Sequence, residues 1–124
     1  MRAVPPFFVN DNGDLSSFES LERLGAFVEV YDLGALEFLD SQGRPLVSDA
    51  EGYRVIIHED PDAVPDPDRL EQLLRACFNR LPGKARSYSE RAERSDSLIE
   101  LVQLFEEFQR QPSKGVWNRS IGRR

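Results

Sequence analysis

Between residues 58 and 67 the apolar pattern of this chain changes its period, and that change limits the folds open to it. From residue 35 to His58 the apolar residues come in short runs or alternate with polar ones, as in Leu36-Glu37-Phe38. That is the period of a pleated strand. Beyond it, Leu70, Leu73, Leu74, Cys77, Phe78 and Leu81 recur at the three- and four-residue spacing that lines one face of a helix. Strands followed by helices point to an α+β domain, with helices packed on a mainly antiparallel sheet.

The helix from residue 67 has clear ends. Asp66 can cap it, Pro67 suits its first position, Asp68 suits its positive end, and Pro82-Gly83 stops it. Phe7-Phe8-Val9 reads as a first strand, closed by the turn Asn10-Asp11-Asn12-Gly13. Ser16 and Glu19 have the form of a capping box, and Phe18, Leu21, Leu24 and Val28 keep helical spacing, so a helix is predicted near 17–28. Gly25 weakens it by about 1 kcal/mol relative to alanine. Ser41-Gln42-Gly43-Arg44 joins a hairpin of strands near 35–40 and 45–48. Tyr53–His58 forms a further strand, whose continuous Val55-Ile56-Ile57 run fits a central place covered on both faces. A last helix covers at least 97–110. Residues 87–97 are either its first turns or a loop, and Ser87 and Glu90 are spaced for another capping box. The predicted order is β-α-β-β-β-α-α in one domain over 1–124, with a flexible tail at 112–124.

Length and composition narrow the function. A chain of 124 residues buries an ordinary core without staples. No apolar run reaches the roughly 18–20 residues of a membrane span, and two prolines and an acidic turn interrupt the N-terminus where a signal peptide needs its apolar stretch. With the single cysteine, Cys77, these features predict a cytoplasmic protein. The net charge of −6 argues against nucleic-acid binding. Residues 1–71 hold 16 acidic and 5 basic side chains, whereas residues 72–124 hold 6 and 11. The acidic half either faces a basic partner or is neutralised by the other half within the fold.

Little in the residue inventory supports catalysis. Setting Gly13 at the glycine position of an EF-hand loop puts Phe8 at the first ligand position, so the turn is geometry and not a calcium site. His58 is the only histidine, which allows neither a metal pair nor a triad with a second base. It is expected half-exposed at a strand end with a local hydrogen bond, and Cys77 is expected to act as a small core hydrophobe. No phosphate loop is present, and nothing in the sequence buries one carboxylate of a pair to raise its pKa. The predictions are therefore no enzyme activity, no metal and no cofactor. The densest charge lies in Glu59, Asp60, Asp62, Asp66, Asp68 and Glu71. As a solvated loop it needs no function; as a binding face it would steer a basic partner. Glu59, Asp60, Asp62 and Asp66 are the candidate contacts.

The order "FFVNDNGDLSSFESLE", then "ALEFLDSQGRPLV", then a strand and two helices ending in a leucine- and phenylalanine-rich stretch, resembles small bacterial immunity proteins encoded beside polymorphic toxins. Such toxins are delivered by contact-dependent, Rhs-type or type VI systems. The likeness covers roughly residues 7–60. It implies a protein that acts by binding and neutralising a cognate toxin domain, with no catalytic residues to carry over. The alternative is an adaptor or secretion chaperone for an effector protein, which would share the acidic face.

Overall fold

The structure, a computed structural model, describes residues 2–81 and 83–110. The predicted tail at 112–124 lies outside the described residues. The chain is an α+β domain of two small antiparallel sheets and packed helices. Among the described residues, five strands run β1 Phe7–Asp11, β2 Asp14–Phe18, β3 Leu36–Leu39, β4 Leu46–Glu51 and β5 Arg54–Glu59. Among the same residues, four α-helices run α1 Leu21–Phe27, α2 Pro67–Asn79, α3 Arg86–Arg94 and α4 Leu98–Arg110, with short 3-10 turns at Val30–Ala35 and Gly83–Ala85.

The first correction is at the opening turn. Asn12 and Gly13 both have positive φ, 52° and 95°, and Asp11 pairs with Asp14 across them. This is a two-residue hairpin, and Asn-Gly is the residue pair such a turn favours. Residues 14–18 therefore continue as β2, not as the start of a helix. Ser16 lies in that strand, so the Ser16–Glu19 capping box does not form. The helix is shorter than predicted and begins at Leu21, where the Ser20 hydroxyl accepts the N–H of Arg23 at 3.1 Å.

The second correction is the central strand. β1 lies between β2 and β3, and Phe7, Phe8, Val9 and Asn10 are all buried. Alternate side chains serve two cores, as the pleat requires. Phe8, with Leu15 and Leu39, packs on Leu70, Leu74 and Phe78 of α2 and on Leu101 and Phe105 of α4. Phe7 and Val9, with Phe38, pack on Leu24 of α1, Leu46 of β4, and Val55 and Ile57 of β5. The rule that a continuous apolar run is covered on both faces holds for β1. β5 pairs only with β4 among the described strands, and its Ile56 is half-buried. The predicted 35–48 hairpin is likewise reduced to one bridge, Leu39 to Pro45, beyond which β4 leaves to pair with β5.

Gly25 has a packing reason to be there. A Cβ on it would lie 2.7 Å from the carbonyl oxygen of Val55, so the missing side chain lets α1 lie directly against the backbone of β5. In the helical half, residues 86–94 form a separate helix, α3, which no side chain caps; the predicted Ser87–Glu90 box is not its start. Ser97 caps α4 instead, accepting the N–H of Glu100 at 3.2 Å. Arg75 ties α2 to α3, donating to the carbonyls of Ala92 and Ser95 at the C-terminal end of α3, where a cation complements the helix dipole. Gln109 of α4 holds the outer strand, exchanging two hydrogen bonds with the backbone of Ser17 at 2.9 and 2.8 Å.

Candidate functional site

The acidic segment leaves β5 at Glu59 and enters α2 at Asp66, and it is anchored at both ends. Glu59 accepts the N–H of Ala3 at 2.7 Å. Asp66 caps α2, accepting the N–H of Arg69 at 3.2 Å, and its own N–H donates to the carbonyl of Gly43 at 3.2 Å. Between them, Asp60 folds the loop. Its carboxylate accepts the N–H of Asp62 at 2.9 Å and its carbonyl accepts that of Ala63 at 3.0 Å, an Asx turn. Three of the four candidate contacts therefore hold the backbone in place. Asp62 is exposed, and its carboxylate takes no hydrogen bond among the described residues. Asp62 is the carboxylate the loop presents outward.

Beneath this loop sits a feature that sequence reasoning treats only as turn chemistry. Asp40 is fully buried and Arg44 is 4% exposed, with Nη1 of Arg44 3.0 Å from Oδ2 of Asp40. The same carboxylate accepts the N–H groups of Val4, Gln42 and Arg44 at 3.0, 2.9 and 2.8 Å. Four donors satisfy its two oxygens, which is what a buried charge requires. The turn they brace presents Gly43 to Asp66. A signal was available: an Asp followed three residues later by Gly is the form of a type I β-turn, and Gly43 N–H does donate to the carbonyl of Asp40 at 3.1 Å. Its burial was not legible, because it depends on the N-terminal segment folding across it.

Two further polar groups frame the site. Arg69 of α2 forks onto Glu37 of β3, Nε to Oε2 at 3.0 Å and Nη2 to Oε1 at 2.7 Å, and Asn10 of β1 donates to the same carboxylate at 3.1 Å. The Arg69 hydrogen bonds hold the Glu37 carboxyl below the usual glutamate range. The stability that this pair adds is present at neutral pH and is lost as pH falls through the lowered pKa. Asn10 also accepts the N–H of Gly13 at 2.8 Å, so its side chain is committed to the hairpin and to Glu37. Arg80, just past the C-terminal end of α2, reaches back to the carbonyl of Gly13.

His58 lies on β5 with Nε2 2.6 Å from Oδ2 of Asp49 on β4. That bond favours the imidazolium and raises the pKa above 6.5. A raised folded pKa means that the pair's stabilisation is complete below about pH 6.5 and fades as pH rises through the folded value. Both side chains are largely exposed, at 47% and 65%, so the effect on global stability is small. The expected result is local: an NMR titration of His58 with a midpoint above 6.5, which Asp49→Asn lowers. A wild-type midpoint at or below 6.5 would contradict the hydrogen bond. Cys77, half-buried against the helical core, has its thiol pushed up to about 11 by burial, which keeps the thiolate scarce at neutral pH.

Among the described residues, no His, Cys, Asp and Glu group of three or more is placed to hold a metal ion, and no helix is long and apolar enough to cross a membrane. Comparison with protein-family models, with curated proteins and with solved structures gives no match to the chain.

Proposed function

We propose that this chain is an immunity protein, which binds one cognate bacterial toxin domain and neutralises it by covering its active site. The toxin it fits best acts in the cytoplasm on a polyanion, as a nuclease does, because the groove of such an enzyme is basic. One observation carries the proposal: the acidic 59–66 loop is tied at one end to the N–H of Ala3 and at the other to the buried Gly43 turn, and it holds Asp62 out to solvent. A loop fixed in this way presents charge without the entropy cost of ordering it on binding. Complementary charge then accelerates encounter and sets orientation.

The test is the association rate of the full chain with the toxin domain encoded beside it, measured at two salt concentrations. The rate should fall with salt, because the Debye length shrinks from about 10 Å at 0.1 M to about 3 Å at 1 M. Asp62→Lys should slow association about two- to tenfold at low salt, a share of the roughly 10–10³-fold that electrostatic steering supplies in all. It should leave the fold intact, because the Asp62 carboxylate takes no part in the loop's hydrogen bonds. Lysine at Asp60 would confound the test by removing the Asx turn. An unchanged association rate for Asp62→Lys would place the interface away from this loop.

A further inference from the structure

On the opposite core layer, α1 and β5 enclose an open groove of about 420 Å³ whose walls include Leu21, Glu22, Arg54 and Ile56. It exists because Gly25 brings α1 onto the β5 backbone and β5 has no second strand neighbour among the described residues. Tyr53, in the β4–β5 turn, lines it, and Tyr31, in the 3-10 turn after α1, stands beside Tyr53 with ring centroids 6.3 Å apart. The two rings are 83% and 78% exposed, although each is large enough to have joined a core. Protruding tyrosines with a polar rim are the anatomy of protein interfaces, not of enclosed small-molecule pockets. Exposed carboxylates lie in the same groove or next to the tyrosines in sequence: Glu22 in the groove wall, Glu29 two residues before Tyr31, and Glu51 two residues before Tyr53, against Arg54 as the basic residue of the wall. A second groove, between α3 and α4, is spanned by its own Arg91–Glu107 pair at 2.8 Å and has no comparable aromatic anchor.

We propose that the α1–β5 groove and the Tyr31–Tyr53 pair form a docking surface for an arginine- or lysine-bearing extended segment of a partner protein. Apolar side chains of the segment lie along Leu21 and Ile56, and a cation sits over a tyrosine face within reach of Glu51 or Glu29. Cation–π attraction requires the cation within about 6 Å of the ring centroid, which two rings spaced this closely offer together. This surface stands whether or not the 59–66 loop contacts a toxin, because its test uses neither the loop nor the toxin.

The experiment is amide-resolved NMR of the full chain, titrated with a blocked peptide of alternating arginine and threonine and, as control, with its glutamate–threonine counterpart. Saturable shifts should centre on Tyr31, Tyr53, Arg54 and Ile56 with the basic peptide alone. Tyr31→Ala with Tyr53→Ala should weaken binding about tenfold, as loss of two exposed cation–π contacts implies. Glu51→Lys, in the exposed turn, reads the charge contribution separately and should also weaken binding should the tyrosine variant prove unstable. Equal binding of the two peptides, or shifts confined to 59–66, would overturn the assignment. The same shifts arising from protein concentration alone would give the surface to a second copy and overturn it as well.

Discussion

Replacing Asp40 by alanine is expected to destabilise the protein by about 3–5 kcal/mol, the usual cost of stranding one partner of a buried ion pair. The substitution removes the Asp40 carboxylate from the Arg44 guanidinium, which is 4% exposed. It also strands the N–H groups of Val4, Gln42 and Arg44, which bond to the same carboxylate. Against a total stability of about 5–15 kcal/mol for a domain of this kind, the loss is a large fraction. Asp40→Asn keeps an acceptor for part of the backbone and should fall between wild type and alanine. Urea unfolding with an unchanged m-value is the measurement. A loss below about 1 kcal/mol, typical of an exposed pair, would contradict the buried geometry.

Gly43→Ala should be nearly as damaging, at about 2–4 kcal/mol, of which about 1–2 kcal/mol is the cost of a left-handed backbone for a residue with a Cβ. Gly43 has φ of 82°, and a Cβ there would lie 2.0 Å from the carbonyl oxygen of Asp66. Main chain, unlike the end of a long side chain, cannot swing aside. Either the 40–44 turn or the start of α2 has to move, and the bond from Asp66 N–H to Gly43 breaks with it. The variant therefore also tests whether the acidic loop is held rigidly. Amide exchange at residues 60–66 should quicken more than exchange in α4, whose core contacts lie elsewhere. Uniform loss of protection, or none, would mean that the loop is not seated on this turn.

What was legible in the sequence follows from how local each signal is. α2 is written in its own residues, from the Asp66 cap along the apolar stripe, and it forms where that pattern places it, ending at Asn79, two residues short of Leu81. The Asn-Gly turn was just as local, but the helical spacing of Phe18, Leu21 and Leu24 competed with it; β2 and α1 share that stretch, and the apparent stripe runs across their boundary. The choice between β1 and β5 as central strand could not be made locally, because both carry apolar runs. It depends on the α2–α4 layer covering one face of β1, while β5 pairs only with β4 among the described strands and lies against α1. In the site, the charge of the 59–66 segment was visible and its internal bonding was not. Glu59, Asp60 and Asp66 acquire structural roles only once Ala3, Asp62 and Arg69 are folded beside them. Tyr31 and Tyr53 carry no sequence signal at all, because turn residues come together only through the packing of α1 on β5.

The proposed function predicts a toxin gene beside that of this chain, and its most direct test is the activity of that toxin domain, assayed with increasing amounts of the full chain and, in parallel, by growth of cells expressing both. An immunity protein should abolish toxin activity at one-to-one stoichiometry and restore growth. Asp62→Lys should lose potency at low chain concentration. An adaptor or secretion chaperone would form the complex and leave the toxin active. A tight complex with undiminished toxin activity, or no complex and no protection by the wild-type chain, would contradict the proposal.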